Sequence, residues 1–126
     1  MFNTEKYVIY KRVSGGHNQK SGLGLDAQSD EINAYLQARN NYQIVETFTE
    51  VQSGKDHENR PELMAAMDIA EKTKSTILVS RLCRLSRDLE FVAKLMKNPT
   101  INFKVATQPN ADNFTLAIYA TMNMRE

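Results

Sequence analysis

The sequence predicts a three-layer α/β/α domain on a central, mostly parallel β-sheet, and three observations carry that prediction. Short β-branched or apolar segments alternate with longer amphipathic ones along the whole 126 residues, the order that βαβ units require. One short segment, Thr76-Ile77-Leu78-Val79-Ser80, is a continuous run of the kind that a strand covered on both faces shows. The first three short segments each lead into a polar stretch carrying arginine, serine or glycine, and in open α/β sheets chemistry gathers at the carboxyl ends of strands.

In chain order, Tyr7-Val8-Ile9-Tyr10 centres a first strand from about Lys6 to Arg12, with Ser14 at its carboxyl end. Gly15 to Gly24 holds four of the five glycines, which predicts a long mobile loop, a feature usually tied to function. Leu25, Ile32, Tyr35 and Leu36 recur at helical spacing with Asp26, Asp30 and Glu31 early in the run, so a helix spans about Leu25 to Arg39. Gln43 to Thr49 reads as a second strand and Glu50 to Asn59 as a polar loop with a Ser53-Gly54 turn. Pro61 marks a helix entry, with Asn59 or Arg60 next to the cap, and Leu63, Met64, Met67, Ile69 and Ala70 give the helix an apolar side to about Lys74. After the third strand, Ser86 suits the cap of a helix carrying Leu89, Phe91, Val92, Leu95 and Met96, which Asn98-Pro99 stops. Ile101 to Ala106 alternates as a fourth strand, and Phe114 to Met124 begins a helix that is apolar around most of its circumference.

Composition narrows the function classes. A net charge of +1 gives no global polyanion signature, so any nucleic-acid contact must come from local clustering. The single cysteine, Cys83, excludes an internal disulfide and a cysteine-based zinc site. No apolar run approaches a membrane span and Met1 to Lys11 lacks a signal-peptide core, so a cytoplasmic protein without membrane contact is expected.

Arg12 and Ser14 at the exit of the first strand pair a guanidinium with a hydroxyl, a nucleophile candidate beside its anion partner; a serine that only turns the chain is the alternative. Arg81, Arg84 and Arg87 fall within seven residues at the exit of the third strand. They either converge on an anion or form a solvated rim paired with Asp88 and Glu90. Arg12, Arg60, Arg84 and Arg87 follow the first, second and third strands, so a parallel sheet delivers them towards one edge, where they would cage a phosphoryl transition state around one hydroxyl. Competing readings are weaker. Gly16 to Ser21 imitates a nucleotide-binding loop but has Gln19 where glycine belongs. Cys83 lacks the spacing to Arg84 and Arg87 of a cysteine phosphatase and reads as a small buried hydrophobe. His17 and His57, with Asp56 and Glu58, lie in polar loops without the spacing of a zinc site.

The ordered set Tyr10-x-Arg12-Val13-Ser14, Gln19, Leu25-x-x-Gln28, Ser53-Gly54-Lys55, Arg60-Pro61-x-Leu63 and Arg84-Leu85-Ser86-Arg87-Asp88 resembles the catalytic domain of the serine recombinases, the resolvases and invertases. The resemblance implies that Ser14 attacks a phosphodiester of double-stranded DNA, leaving a 5′-phosphoserine linkage and a free 3′-hydroxyl, and later reverses the step to join new partners. It implies no metal, no ATP and no cofactor. Arg12, Arg60, Arg84 and Arg87 take the phosphate-binding positions, with Gln19, Gln28, Glu50 and Ser53 in support.

One position departs from the pattern. The family usually has aspartate where this chain has Cys83, and a thiol is a poor substitute in proton transfer or in positioning an arginine. The family also implies a resolvase-like fold, a homodimer and a synaptic homotetramer. Residues 1–126 are then expected to be a catalytic domain with a truncated last helix, separated from a DNA-binding module and monomeric or weakly associating. The alternative class is a non-catalytic regulatory domain that binds phosphate or a nucleic-acid backbone.

Overall fold

The computed structural model describes residues 4–14, 24–52, 60–85 and 89–123; at 14, 52, 83, 84, 89, 90 and 123 the description is of the backbone. Within them the order is β1 (Glu5–Ser14), α1 (Leu25–Gln37), β2 (Tyr42–Gln52), α2 (Pro61–Thr73), β3 (Thr76–Val79), α3 (Leu82–Leu85), α4 (Leu89–Met96), β4 (Phe103–Val105) and α5 (Asn113–Asn123). The strands form one sheet in the order β2-β1-β3-β4, parallel at every pairing.

That order explains the layers. The chain steps from β1 to β2 in one direction, then crosses back over β1 to β3 and on to β4. Right-handed crossovers in opposite directions leave their helices on opposite faces. Accordingly Ile32, Tyr35 and Leu36 of α1 pack on Tyr7, Ile9 and Leu78. On the other face, Leu63, Ala66 and Ala70 of α2, Val92 and Met96 of α4, and Leu116 and Ala120 of α5 pack on Val8, Tyr10, Ile77, Val79 and Phe103. Leu63, fully buried, alone contributes about 2 kcal/mol of apolar transfer energy. Among the described residues α1 is the one helix on the first face, and Ile44 and Val51 of β2 are exposed.

The differences from the sequence reading lie at element ends and in one added short helix. β2 runs three residues past Thr49, through Glu50, because Phe48 and Glu50 point inward while Thr49 and Val51 point out. A polar residue at an inward position reads as a loop in sequence, and only its partners reveal the strand. A register shift between Tyr7 and Val8 skips Val45 and sets Glu50 opposite Arg12. Without that bulge Thr49 would face Arg12 and Glu50 would turn to the α1 side, since a one-residue slip exchanges the faces of a strand. α3 is a single turn inside the arginine-rich segment, too short for periodicity to show.

Candidate active site at the strand exits

β1 is followed by a helix on one face of the sheet and β3 by helices on the other, so the carboxyl ends of these neighbouring strands flank the switch point of the sheet, the usual place for a site in such folds. Ser14 is the last residue of β1, and Arg81 directly follows the β3 exit at Ser80.

On the α2 side, a buried polar network backs this point. Tyr10, Glu50 and Arg60 are all at most 5% exposed. The Tyr10 hydroxyl donates to Glu50 Oε1 at 3.0 Å. The same carboxylate accepts the backbone N–H of Leu63 at 3.1 Å on Oε1 and that of Glu62 at 3.1 Å on Oε2. The N-terminal N–H groups of a helix need acceptors and favour negative charge. Arg60 occupies the cap position of α2 with no capping side-chain bond, and an arginine has no acceptor to offer. Glu50 on β2 therefore serves these N–H groups, with Arg60 at the cap position itself; the sequence had put Asn59 or Arg60 next to the cap, and Asn59 lies outside the described residues.

Freed from capping, Arg60 reaches across to α3 and α4. Its Nη1 donates to the Leu85 carbonyl at 2.6 Å, and its guanidinium carbon lies 5.2 Å from the centre of the Phe91 ring. Burial pushes the Tyr10 phenol well above its usual range, the Glu50 carboxylate adds to that, and Arg60 pulls the other way. Strand alternation puts Arg12 on the Tyr10 face of β1, in register with Glu50.

The α1 side is built from Gln28, Lys11 and Arg81. β3 pairs with β1 only as far as Ile9, so among the described residues the backbone of Arg12 has no strand neighbour on that edge. Gln28, 1% exposed, takes the strand's place: its Oε1 accepts from the Arg12 N–H at 3.1 Å and its Nε2 donates to the Arg12 carbonyl at 2.9 Å. Lys11 Nζ donates to Ser29 Oγ at 2.8 Å. Arg81 pairs with Glu31 of α1 at 2.5 Å, a partner the sequence reading had sought in Asp88 and Glu90.

Of the expected site residues, the fold brings Arg12, Gln28, Glu50 and Arg60 together around the end of β1, with Ser14 placed by its backbone. The backbones of Cys83 and Arg84 lie in α3. Gln19, Ser53 and Arg87 lie outside the described residues, as do Ser86, His17 and His57. No group of three metal-ligating side chains occurs among the described residues, and no described helix is long and apolar enough to cross a membrane. Sequence reasoning treated Tyr10 as a core residue, although a tyrosine inside a buried strand must find a hydroxyl partner, and that requirement was the available signal.

The family described as "Resolvase, N terminal domain" matches residues 7–126. The chain belongs to the resolvase family. Its fold matches the crystal structure of the N-terminal catalytic domain of TP901-1 integrase with a TM-score of 0.71 and 28% identity, covering 96% of each chain. The C-terminal catalytic domain of ISC1926 TnpA, an IS607-like serine recombinase, matches with a TM-score of 0.61 and 26% identity over 80% of this chain and 70% of that one. A resolvase family site-specific recombinase from Streptococcus pneumoniae shares the fold, with a TM-score of 0.65 and 24% identity over 97% and 89% of the two chains. No curated protein matches by sequence. This resolvase domain is thus a serine recombinase catalytic domain by family, with the α/β/α fold that its sequence predicts and a sheet that is wholly parallel.

Proposed function

We propose that this domain cleaves and rejoins double-stranded DNA with Ser14 as nucleophile. The Ser14 hydroxyl oxygen forms a bond to a backbone phosphorus and gives up its proton. The bond from phosphorus to the 3′ oxygen breaks, and that oxygen leaves as a protonated 3′-hydroxyl. Attack of another 3′-hydroxyl on the phosphoserine reverses the step, so the bond energy is kept and neither metal nor ATP is consumed. The observation that carries the reading is the place of Ser14, at the switch point and two residues beyond Arg12, with Arg60 held beside that strand. Arg12, Arg60, Arg84 and Arg87 address charge that peaks in the pentacoordinate transition state. Ser14→Ala in the full-length protein should abolish cleavage and leave folding and DNA binding nearly intact; persisting nicked or covalently linked DNA would remove Ser14 from this role.

Cys83, where the family pattern has aspartate, favours the second reading, a domain that binds phosphate without cutting. Cys83→Asp separates the two. Cleavage that rises on restoring the carboxylate supports a recombinase short of one group, whereas DNA binding without cleavage in both forms supports the binding module.

The same reading makes this the catalytic part of a longer protein with a separate DNA-binding module, assembling as a dimer and, on DNA, a tetramer. Phe114, Ile118 and Met122 of α5 recur four residues apart and are exposed at 73%, 41% and 59%. They border an open groove of about 860 Å3 against the end of α4. This stripe suits a partner subunit in the full-length protein, and the expectation for the 126 residues alone is a monomeric or weakly associating species in analytical ultracentrifugation. A tight dimer of the 126 residues would contradict it.

A further inference from the structure

We infer that the opposite edge of the sheet, where the strands begin, carries a second binding site, for a phosphoryl anion. A pocket of about 420 Å3 opens there, and its wall brings together Lys6 of β1, Arg39 just beyond α1, Lys74 at the end of α2 and Lys104 of β4. Four cations from four separate elements thus meet over one cavity.

The neighbouring negative charge does not account for them. Glu5 is the carboxylate in the wall, and it already accepts from the Tyr7 hydroxyl. α1 and α2 end at Gln37 and Thr73 beside the pocket, and each helix terminus presents about half a negative charge. Four cations against one carboxylate and two helix ends leave a surplus of about two positive charges. Asp112, fully exposed, feels Lys104 from outside the wall, and counting it in full still leaves the pocket positive. Like charges sharing one wall repel unless an anion joins them, and among the described residues the Lys104 ammonium donates to a neutral carbonyl, that of Ala111 at 3.5 Å.

Two local details point the same way. Arg39 lies over the Tyr35 ring with its guanidinium carbon 4.3 Å from the ring centre. Its Nε is buried without an acceptor among the described residues, although a buried donor of that kind ordinarily has one. Lys74 holds the left-handed conformation that closes α2, with φ of 57°, a position that glycine occupies more cheaply. A lysine there keeps a charge over the pocket at the expense of backbone strain. The dense, multidentate donor set matches phosphate oxygens, supplied either by a small phosphorylated molecule or by a nucleic-acid backbone. This site stands independently of the chemistry at Ser14.

Inorganic pyrophosphate, titrated into the isotope-labelled chain at constant ionic strength, tests it through backbone amide shifts. Saturable shifts at Arg39, Lys74 and Lys104 are expected. Lys74→Gly, which relieves the strained position and should not unfold the chain, should weaken binding at least threefold. Lys74→Gln combined with Lys104→Gln should weaken it at least tenfold. Lys72→Gln, on an exposed lysine paired with Asp68 outside the wall, should change nothing. A short DNA duplex that displaces pyrophosphate identifies the backbone as the source of the phosphate, and one that leaves the shifts in place identifies a small free anion. Shifts that stay linear in pyrophosphate, or that persist unchanged in Lys74→Gly, overturn the site.

Discussion

The two sides of the β1 exit use similar polar side chains and hold them in different ways. On the α2 side, Tyr10, Glu50 and Arg60 are buried, and the Glu50 carboxylate serves a phenol and two helix N–H groups. On the α1 side, the Arg81–Glu31 pair stands in solvent, with side chains 57% and 26% exposed. Buried groups lose hydration that only their partners replace, while exposed pairs exchange water for each other at little gain. The comparison teaches that the stiff half of the site is the half carrying Arg60. Gln28 is the exception on the α1 side, since it too is buried and substitutes for a missing strand.

Four substitutions grade this difference. Glu50→Ala should cost most, about 3 to 5 kcal/mol, because it strands the Tyr10 hydroxyl and two helix N–H groups together; in a thermal melt that is a fall of roughly 10 °C or more. Gln28→Ala should cost about 2 kcal/mol through the unpaired N–H and carbonyl of Arg12, read by denaturant unfolding. In the full-length protein it should also slow cleavage, since those backbone groups fix the strand leading to Ser14. Tyr10→Phe removes one donor and leaves Glu50 two others, so about 1 kcal/mol is expected. Arg81→Ala should cost under about 1 kcal/mol and less still at high salt. If Arg81→Ala proved as damaging as Glu50→Ala, the distinction between a stiff and an adjustable side would fall.

A different readout sharpens the same comparison. On the proposed function, Arg60→Ala should lower both cleavage and the melting temperature, whereas Arg12→Ala, on a half-buried residue, should slow cleavage by at least about a hundredfold with a much smaller change in melting. An Arg12→Ala protein that cleaves at the normal rate would remove that residue from the site.

The layers and strand order were legible because alternating apolar segments and right-handed crossovers leave few arrangements. The places of Arg12 and Ser14 at the end of β1, and of Arg60 after β2, were legible from the strand pattern. The function of Glu50 was not, because its strand position depends on a bulge at Val45 that no periodicity reveals. Nor was the capping of α2, which comes from 12 residues earlier in the chain rather than from the adjoining residue. Gln28 could be marked from the family pattern, yet its work follows from β3 ending short of Arg12, a fact of pairing between strands. Arg81 and Glu31 are 50 residues apart, beyond the reach of any local rule.

Tandem mass spectrometry of the adduct trapped on a suicide DNA substrate tests the assignment of the nucleophile most directly. A covalent complex bearing a 5′-phosphate on Ser14, formed without added metal and lost in Ser14→Ala, is the predicted result. Cleaved DNA with no protein attached, or an adduct on any other residue, would contradict it.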